Sequence, residues 1–371
     1  MKRQLLGVAA ILLSISTYAQ DNPLWMRYCA ISPDGTTIAF TYKGDIYTVP
    51  STGGRASQIT TNPAHDTKPI WSPDGKKIAF ASDRMGSMDI FEVNKEGGIP
   101  KRLTTHSGNE TPVAYKDAGH ILFLANIMPT VEDAQFPSGQ FQQVYEVNTE
   151  GGRPALFSSM PMEDISINHT GNTLLYHDKK GYEDPWRKHH TSSITRDIWL
   201  CSLNGNRTFR KQTTFNGEDR TPVWASDDKS FYYLSEEKGS FNIFKRDIDG
   251  NTSKQITNHT KHPVRFLSAA SNGTLCYGYD GEIYTVKEGA IPQKVQISIV
   301  TDKNDKDLIR QIKRSGATEI SLSPDAKEIA FVLRGDVYVT STEYSTTKQI
   351  TNTPQQERDI HFSPDGRSIV Y

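Results

Sequence analysis

Residues 71–94 read WSPDGKKIAFASDRMGSMDIFEVN, and this stretch decides the fold. Its SPDG segment suits a type I turn, in which proline presets φ and glycine accepts the left-handed conformation that follows. The next run, KKIAFAS, is apolar at successive positions, so Ile78 and Phe80 face one way and the alanines after them face the other. A strand with two apolar faces is buried on both sides. Further turns at DRMG and KEGG predict four antiparallel strands in about forty residues.

The same phrase recurs along the chain, as ISPDGTTIAF at 31–40, LSPDAKEIAF at 322–331 and SPDGRSIVY at 363–371. A second mark, Asp89-Ile90-Phe91 in the third predicted strand, recurs as well. It or a close variant stands at 45–47, 89–91, 143–145, 197–199, 242–244, 282–284 and 336–338. In five repeats a QIT, RLT or QTT triplet begins 13 to 15 residues after this mark. Repeats of four strands at this period are typical of β-propeller blades. A plain sandwich with recurring hairpins is the alternative.

The repeats predict an all-β chain. We expect a six-bladed β-propeller of four-stranded antiparallel blades at 21–299, a charged linker at 300–316 and the start of a second propeller at 317–371. Blades three and four carry the inserts NIMPTVEDAQFPSGQFQ and DKKGYEDPWRKHHTSSITRD. The repeats after the linker are too few to close a ring, so we expect a truncated second propeller and a longer parent protein.

The N-terminus has the layout of a secretory signal. Lys2 and Arg3 precede an apolar run that ends at Ile15, which is too short to span a bilayer as a helix. We therefore expect a signal peptide at 1–20 and a periplasmic mature chain without a membrane span; a short membrane anchor is the alternative. The net charge of −1, from 42 basic and 43 acidic side chains, does not favour nucleic acid as a partner. Three cysteines do not imply a disulfide framework.

The chemistry-bearing residues concentrate in the blade-four insert. No G-x-S-x-G, H-E-x-x-H or P-loop pattern occurs, so we predict no catalytic residue, no metal site and no cofactor. The predicted substrate-binding residues are Trp186, Arg187, Lys188, His189 and His190. Cations of this kind can bind the terminal carboxylate of a peptide, for which Arg187 and Lys188 would have to face open space. The alternatives are a solvated or domain-packing loop, and metal binding by the paired histidines. In each case we expect replacement of Arg187 and Lys188 by alanine to leave the melting temperature nearly unchanged.

The repeats resemble those of TolB-like and tricorn-like propellers. Together with the signal sequence, the six blades, the charged joint, the restarted repeat and GYEDPWRKHHTSSITRDIW at 181–199, they resemble the tricorn protease family in its secreted bacterial form. The resemblance implies that a seven-bladed propeller, a PDZ domain and a serine-peptidase domain follow the six-bladed one, with the catalytic serine and histidine beyond residue 371. It implies that this region filters or holds peptides or unfolded protein segments and docks the downstream domains, with homo-oligomerisation left open.

Two other functions are compatible with the repeats. One is a self-sufficient TolB-like propeller that serves as a binding platform, although TolB-like proteins carry an α/β domain before the propeller. Here the first blade starts within about ten residues of the predicted cleavage site, which leaves no room for such a domain. The other is the propeller of a dipeptidyl-peptidase-like enzyme followed by an α/β-hydrolase. The charged joint after six blades disfavours the single larger ring of that class.

Overall fold

The computed structural model describes residues 23–127, 141–181, 184, 186–187, 192, 194–300 and 313–371. The chain divides into two compact units, Met1–Val300 and Thr301–Tyr371. The predicted signal peptide, most of the predicted linker and the centre of the blade-three insert lie outside the described residues. Every helix or strand element in the described part of the chain is a β-strand, which confirms the all-β prediction. The described residues include no helix with the length and hydropathy of a membrane span.

Residues 27–294 of the first unit form, within the described ranges, six four-stranded antiparallel sheets, and the strands of each sheet follow one another in chain order. The first three sheets are β1 (Arg27–Ile31), β2 (Thr37–Tyr42), β3 (Asp45–Pro50), β4 (Gly54–Gln58); β5 (Asp66–Trp71), β6 (Lys77–Ser82), β7 (Asp89–Asn94), β8 (Lys101–Arg102); and β9 (Glu110–Asp117), β10 (His120–Ala125), β11 (Gln143–Asn148), β12 (Ala155–Ser158). The next three are β13 (Met162–Ile167), β14 (Thr173–Asp178), β15 (Ile198–Ser202), β16 (Thr208–Lys211); β17 (Asp219–Trp224), β18 (Ser230–Ser235), β19 (Asn242–Asp247), β20 (Ser253–Gln255); and β21 (Arg265–Ala269), β22 (Leu275–Tyr279), β23 (Glu282–Val286), β24 (Gln293–Lys294). The predicted four-stranded meander is thereby confirmed.

The SPDG turn has the predicted geometry. The Gly75 N–H donates to the Ser72 carbonyl oxygen at 2.9 Å, and Gly75 has a φ of 67°. The Ser72 hydroxyl donates to a carboxylate oxygen of Asp74 at 2.7 Å and accepts the Lys77 N–H at 2.9 Å. The serine and aspartate side chains thus stabilise the turn by hydrogen bonds within it. The strand that follows, β6, is buried on both faces as predicted.

The recurring threonine of the QIT-type triplets stands just after the fourth strand of a sheet and bonds back to the third strand. Its hydroxyl oxygen accepts the N–H of the second residue of the third-strand mark. The pairs are Ile46–Thr60 at 2.9 Å, Ile90–Thr104 at 2.9 Å, Ile198–Thr213 at 3.0 Å, Ile243–Thr257 at 2.9 Å and Val337–Thr351 at 2.8 Å. The regular spacing of the two marks in the sequence therefore reflects a side-chain hydrogen bond to a buried backbone donor.

The six sheets pack face to face in a closed cycle. The first strand of each sheet contacts the first strand of the next one, and β21 of the last sheet contacts β1 of the first. A separate apolar cluster fills each of the six junctions between neighbouring sheets of the first unit. A strand with two apolar faces contributes side chains to the apolar clusters on both sides of its sheet. In β6, for example, Ile78 and Phe80 pack towards the first sheet and Ala79 packs towards the third.

The cycle is closed by backbone pairing as well as by packing. The short strand β25 (Ile297–Ile299) runs parallel to β4 and forms the fifth strand of the first sheet. At the same junction, Cys29 of β1 and Cys276 of β22 lie in one apolar cluster, and the Cys29 thiol donates to the Phe266 carbonyl oxygen at 3.5 Å. All three cysteines of the chain are free thiols, buried in the first unit.

The second unit repeats the blade pattern once and begins it again. It contains β26 (Ala317–Leu322), β27 (Glu328–Leu333), β28 (Asp336–Ser341), β29 (Thr347–Gln349), β30 (His361–Phe362) and β31 (Ile369–Val370). The first four form an antiparallel sheet, and the last two form a hairpin. Ile320 and Leu322 of β26 are exposed although they are large and apolar.

Candidate functional site

A cavity of ≈ 590 Å³ lies between the first strands of the six sheets. Every one of these strands contributes to its lining. Representative lining residues are Tyr28, Lys68, Thr111, Asp164, Thr221 and Phe266, one from each sheet in chain order. A volume of this size is in the range that binds small ligands or a few residues of a peptide.

Each of the six first strands has an interruption in its pairing with the second strand, and in five of them a bulged residue at the cavity lies in the left-handed backbone region. These residues are Tyr28 (φ 51°), Lys68 (53°), Asp164 (49°), Thr221 (52°) and Phe266 (57°). In each strand the pairing with the second strand is interrupted at that residue. The left-handed region is unfavourable for side chains other than glycine by about 1–3 kcal/mol, most clearly for a β-branched residue such as Thr221. Bulges re-aim side chains, and here all five line the cavity.

We did not predict these bulges, although the sequence carries a signal for two of them. Lys68 and Thr221 each stand directly before a proline inside a first strand. Proline cannot donate a ladder hydrogen bond, so a proline within a strand of this kind marks a bulge or an edge. The other three bulges have no proline, and nothing in their local sequence distinguishes them.

The cavity has an aromatic wall and a polar wall. The aromatic wall consists of Tyr28, Phe266 and Trp186: the Tyr28 and Phe266 ring centroids are 4.8 Å apart, and those of Trp186 and Phe266 are 6.0 Å apart. The polar wall includes Asp164 and Thr221, whose side chains are joined by a 2.6 Å hydrogen bond that the Thr221 hydroxyl donates. Lining side chains therefore offer both an apolar surface and charged groups.

Trp186, one of the predicted binding residues, lies at the cavity. Two guanidinium groups contact its ring, with the Arg27 carbon 4.8 Å and the Arg265 carbon 5.0 Å from a ring centroid. Arg265 also donates to the Trp186 carbonyl oxygen at 2.9 Å. The residue remains 41 % exposed. Cation–π contacts and the backbone bond thus hold an aromatic surface open at the cavity.

Arg187 does not face open space, which a role in binding a peptide carboxylate would require. Its guanidinium donates to Glu218 at 2.7 Å and to both carboxylate oxygens of Glu236 at 2.8 and 3.0 Å, and it is buried. These two acids lie 31 and 49 residues from Arg187 in the sequence. Arg187 therefore anchors the insert to the fifth sheet. Lys188, His189 and His190 lie outside the described residues.

The anchor belongs to a longer chain of ion pairs. Glu218 also accepts from Arg196 at 2.8 Å, and Arg220 lies 3.6 Å from the same carboxylate. Although burial raises the pKa of Glu218, the charges of Arg220 and Arg196 and the Arg187 hydrogen bond hold it below its usual range. Burial lowers the pKa of Arg220 to about 10, so this side chain is still a cation at neutral pH.

The chain of ion pairs continues on the fourth sheet. Glu163 accepts hydrogen bonds from Lys179 at 2.7 Å and from His177 at 3.2 Å. Burial alone raises the pKa of Glu163, but the His177 hydrogen bond and the charges of His177 and Lys179 bring it well below its usual range. Several lining cations are thus already neutralised by carboxylates of the protein. Within the described residues, no group of three or more His, Cys, Asp or Glu is placed to hold a metal ion.

Comparison with known proteins identifies the family of this chain. The tricorn protease N-terminal β-propeller domain family matches residues 23–290. This chain belongs to that family. The match confirms the propeller fold and the resemblance inferred from the repeats.

Among curated relatives of this tricorn-type propeller, tricorn protease homolog 1 of Streptomyces coelicolor is 25 % identical over 357 residues, covering 94 % of this chain and 32 % of the relative. The tricorn protease of Thermoplasma acidophilum is 25 % identical over 334 residues, covering 85 % of this chain and 29 % of the relative. The chain thus spans about a third of the length of these relatives.

Among solved structures, the crystal structure of the tricorn protease aligns with a TM-score of 0.63 at 19 % identity. The alignment covers 92 % of this chain and 33 % of the tricorn protease chain. Puromycin hydrolase aligns with a TM-score of 0.50 at 12 % identity, over 92 % of this chain and 57 % of the hydrolase. At these identities the likeness concerns the fold.

Proposed function

We propose that this chain is the N-terminal, non-catalytic propeller region of a larger tricorn-like serine peptidase. In this proposal the cavity holds peptides or unfolded segments of proteins, and the propeller docks PDZ and peptidase domains that follow it in the parent chain. The family match and the one-third coverage of tricorn-type relatives support the parent. The N-terminal sequence supports export to the periplasm.

The observation that carries the binding role is the set of five strained residues at the cavity. Backbone strain of about 1–3 kcal/mol at a single residue persists only where the surrounding structure enforces it, and such residues cluster at binding sites. Here the strain recurs in five sheets, and all five of these bulged residues line the same cavity. Peptides carry both apolar side chains and charged groups, which match the aromatic and polar walls.

A binding assay with the purified chain tests the peptide-holding role. Fluorescently labelled peptides of four to eight residues are titrated with the protein, and anisotropy is recorded. We expect saturable binding that Trp186→Ala weakens, because this change removes part of the aromatic wall. The exposed Phe209→Ala is the matched control, since this ring is not part of the cavity lining. The peptides should remain intact throughout, as judged by mass spectrometry. Absence of saturable binding for every peptide would refute the holding role.

The coding sequence tests whether this chain is part of a longer parent protein. We expect the reading frame after the codon for Tyr371 to encode the rest of a second propeller, a PDZ domain and a serine-peptidase domain. A stop codon directly after Tyr371 would instead favour a self-sufficient binding propeller.

A further inference from the structure

The junction between the last sheet and the first contains two cysteines. Cys29 lies on β1 and Cys276 on β22, and both are buried in the apolar cluster of this junction. In the sequence they stand near opposite ends of the ring. The third cysteine, Cys201, is buried in another cluster, between the third and fourth sheets, which contains no second cysteine. The fold thus brings two of the three cysteines to one place and keeps the third apart.

A serine side chain lies next to the backbone of both cysteines. Ser268 of β21 is paired with Cys276 across the last sheet. Its hydroxyl oxygen accepts the Ile31 N–H at 3.0 Å and lies 3.4 Å from the carbonyl oxygen of Cys29 and 3.5 Å from that of Cys276. The two cysteine backbones therefore approach each other where the first and last sheets meet.

The two thiol side chains point into the same junction from opposite sides. The Cys29 thiol donates to the carbonyl oxygen of Phe266 in β21, so it points from the first sheet towards the last. Directly paired residues of two strands face the same side of a sheet, so Cys276 points with Ser268 towards β1. Burial raises the pKa of the Cys276 thiol, and the neighbouring Cys29 raises it further. Each side chain has a single χ1 bond, and rotation about these two bonds moves the sulfur atoms relative to each other.

We propose that Cys29 and Cys276 form a disulfide that locks the ring, and that the structure shows its dithiol form. As the S–S bond forms, the two thiols lose two protons and two electrons. An oxidant that is itself a disulfide takes up both and is reduced to two thiols. The bond would add a covalent closure to the backbone pairing of β25 with β4 at the outer edge of the same junction.

The reaction belongs to folding rather than to the closed ring. Both thiols are buried in the folded chain, and a raised pKa leaves little of the reactive thiolate. The proposed export leads to a compartment in which protein disulfides form and persist. The inference goes beyond the proposed function and does not depend on it, because the bond requires only the fold and an oxidant.

Oxidative refolding of the purified chain tests whether the bond forms. The chain is reduced in urea and refolded with a mixture of oxidised and reduced glutathione, or with reduced glutathione alone. Glutathione is then removed and free thiols are counted with DTNB in urea. We expect three free thiols in the reduced chain and a single one, that of Cys201, in the oxidised chain. Cys201→Ser should have none after oxidation. Mass spectrometry of an unreduced digest should find the peptides of Cys29 and Cys276 linked.

The wild-type result alone can overturn the proposal, without any variant. Three free thiols in an oxidised chain that has refolded fully would do so. A disulfide that includes Cys201, or mixed disulfides with glutathione in place of an internal bond, would also overturn it.

Melting temperatures test whether the bond locks the ring. A cross-link between residues so distant in the sequence restricts the unfolded chain, so the oxidised wild type should melt about 5 °C or more above the reduced one. Dithiothreitol should reverse the difference. Cys201→Ser should keep the difference, whereas Cys276→Ala should melt at the same temperature under both conditions. Each comparison is made within one variant, so a general loss of stability does not affect it. A confirmed bond between Cys29 and Cys276 without a rise in melting temperature would refute the locking role.

Discussion

Arg187 and Glu218 form an ion pair in the interior of the first unit, with 1 % and 0 % of their side chains exposed. The pair connects the blade-four insert with the start of β17. Arg187 also bonds Glu236, just after the end of β18, so one guanidinium bridges two connections of the fifth sheet. Arg187 is thereby fixed at this end of the sheet, and its neighbour in the sequence, Trp186, lies at the cavity.

Replacing Arg187 with alanine should lower the free energy of unfolding by about 3 kcal/mol, because it leaves Glu218 and Glu236 with fewer cationic partners in a buried position. This outcome differs from the near-zero effect that the sequence alone suggested. Urea unfolding followed by fluorescence measures it. Lys101→Ala, which removes an exposed pair with Glu150, is the control and should change stability by less than about 1 kcal/mol. Equal effects of the two substitutions would contradict the anchoring role.

The recurring threonine can be tested at Thr60. Thr60→Val keeps the shape of the side chain but removes the oxygen that accepts the Ile46 N–H. A buried donor left without an acceptor should destabilise the protein by about 1–3 kcal/mol. Thr60→Ser keeps the oxygen and should lose less. Thr61→Val, at the exposed neighbouring residue, should have little effect. If Thr60→Ser proves as destabilising as Thr60→Val, packing of the methyl group rather than the hydrogen bond explains the motif.

Glu110 should make stability depend on pH. Burial, with a smaller contribution from the charge of Asp89, raises the pKa of Glu110 to about 7, against the charge of Arg102. Because the folded state holds this proton more tightly than the unfolded chain, stability should fall as pH rises from about 4.5 to about 7. The whole effect amounts to about 3 kcal/mol.

The variant Glu110→Gln removes this titration. We expect it to raise the melting temperature relative to wild type at pH 8 and to leave it nearly unchanged at pH 5. Glu96→Gln, at an exposed turn residue, should show no such difference between the two pH values. A parallel dependence of wild type and Glu110→Gln on pH between 5 and 8 would assign the effect to other groups.

The three thiols should be unreactive in the folded chain. Cys29, Cys201 and Cys276 are buried, and burial raises the pKa of the Cys201 and Cys276 thiols, which lowers the fraction of reactive thiolate. With an aromatic disulfide reagent such as DTNB we expect no fast reaction in buffer and three equivalents after unfolding in urea. Rapid modification of one thiol in the native state would show that the apolar junction between sheets around that thiol opens to solvent.

Local patterns were sufficient to predict much of the fold. The SPDG turn is formed by four adjacent residues, and the two-faced strand between Lys77 and Ser82 shows its double burial in its own composition. The spacing of the threonine triplets was visible too, although only the structure shows that Thr60 and its equivalents accept a backbone hydrogen bond. These features depend on residues within one sheet, so a single repeat contains the information.

The site depends on relations between sheets, which the sequence does not display. The partners of Arg187 come from the fifth sheet, and the aromatic wall joins residues of the first and sixth sheets with Trp186 of the insert. The same limit applies to Arg84, which pairs with buried Asp66 at 2.9 Å, 18 residues away. Ion pairs between distant residues require the register of the whole ring.

The parallel pairing of β25 with β4 has a consequence for biosynthesis. The outer edge of the first sheet stays without a partner until the ribosome has added the residues up to Ile299. At elongation rates of about 5–20 residues per second, the interval between residues 58 and 297 is roughly 10 to 50 s. For that time the nascent chain presents an open strand edge, which is a template for pairing with other chains. Factors that bind the emerging polypeptide have this window in which to protect it, and the window ends when the last strand of the ring joins the first sheet.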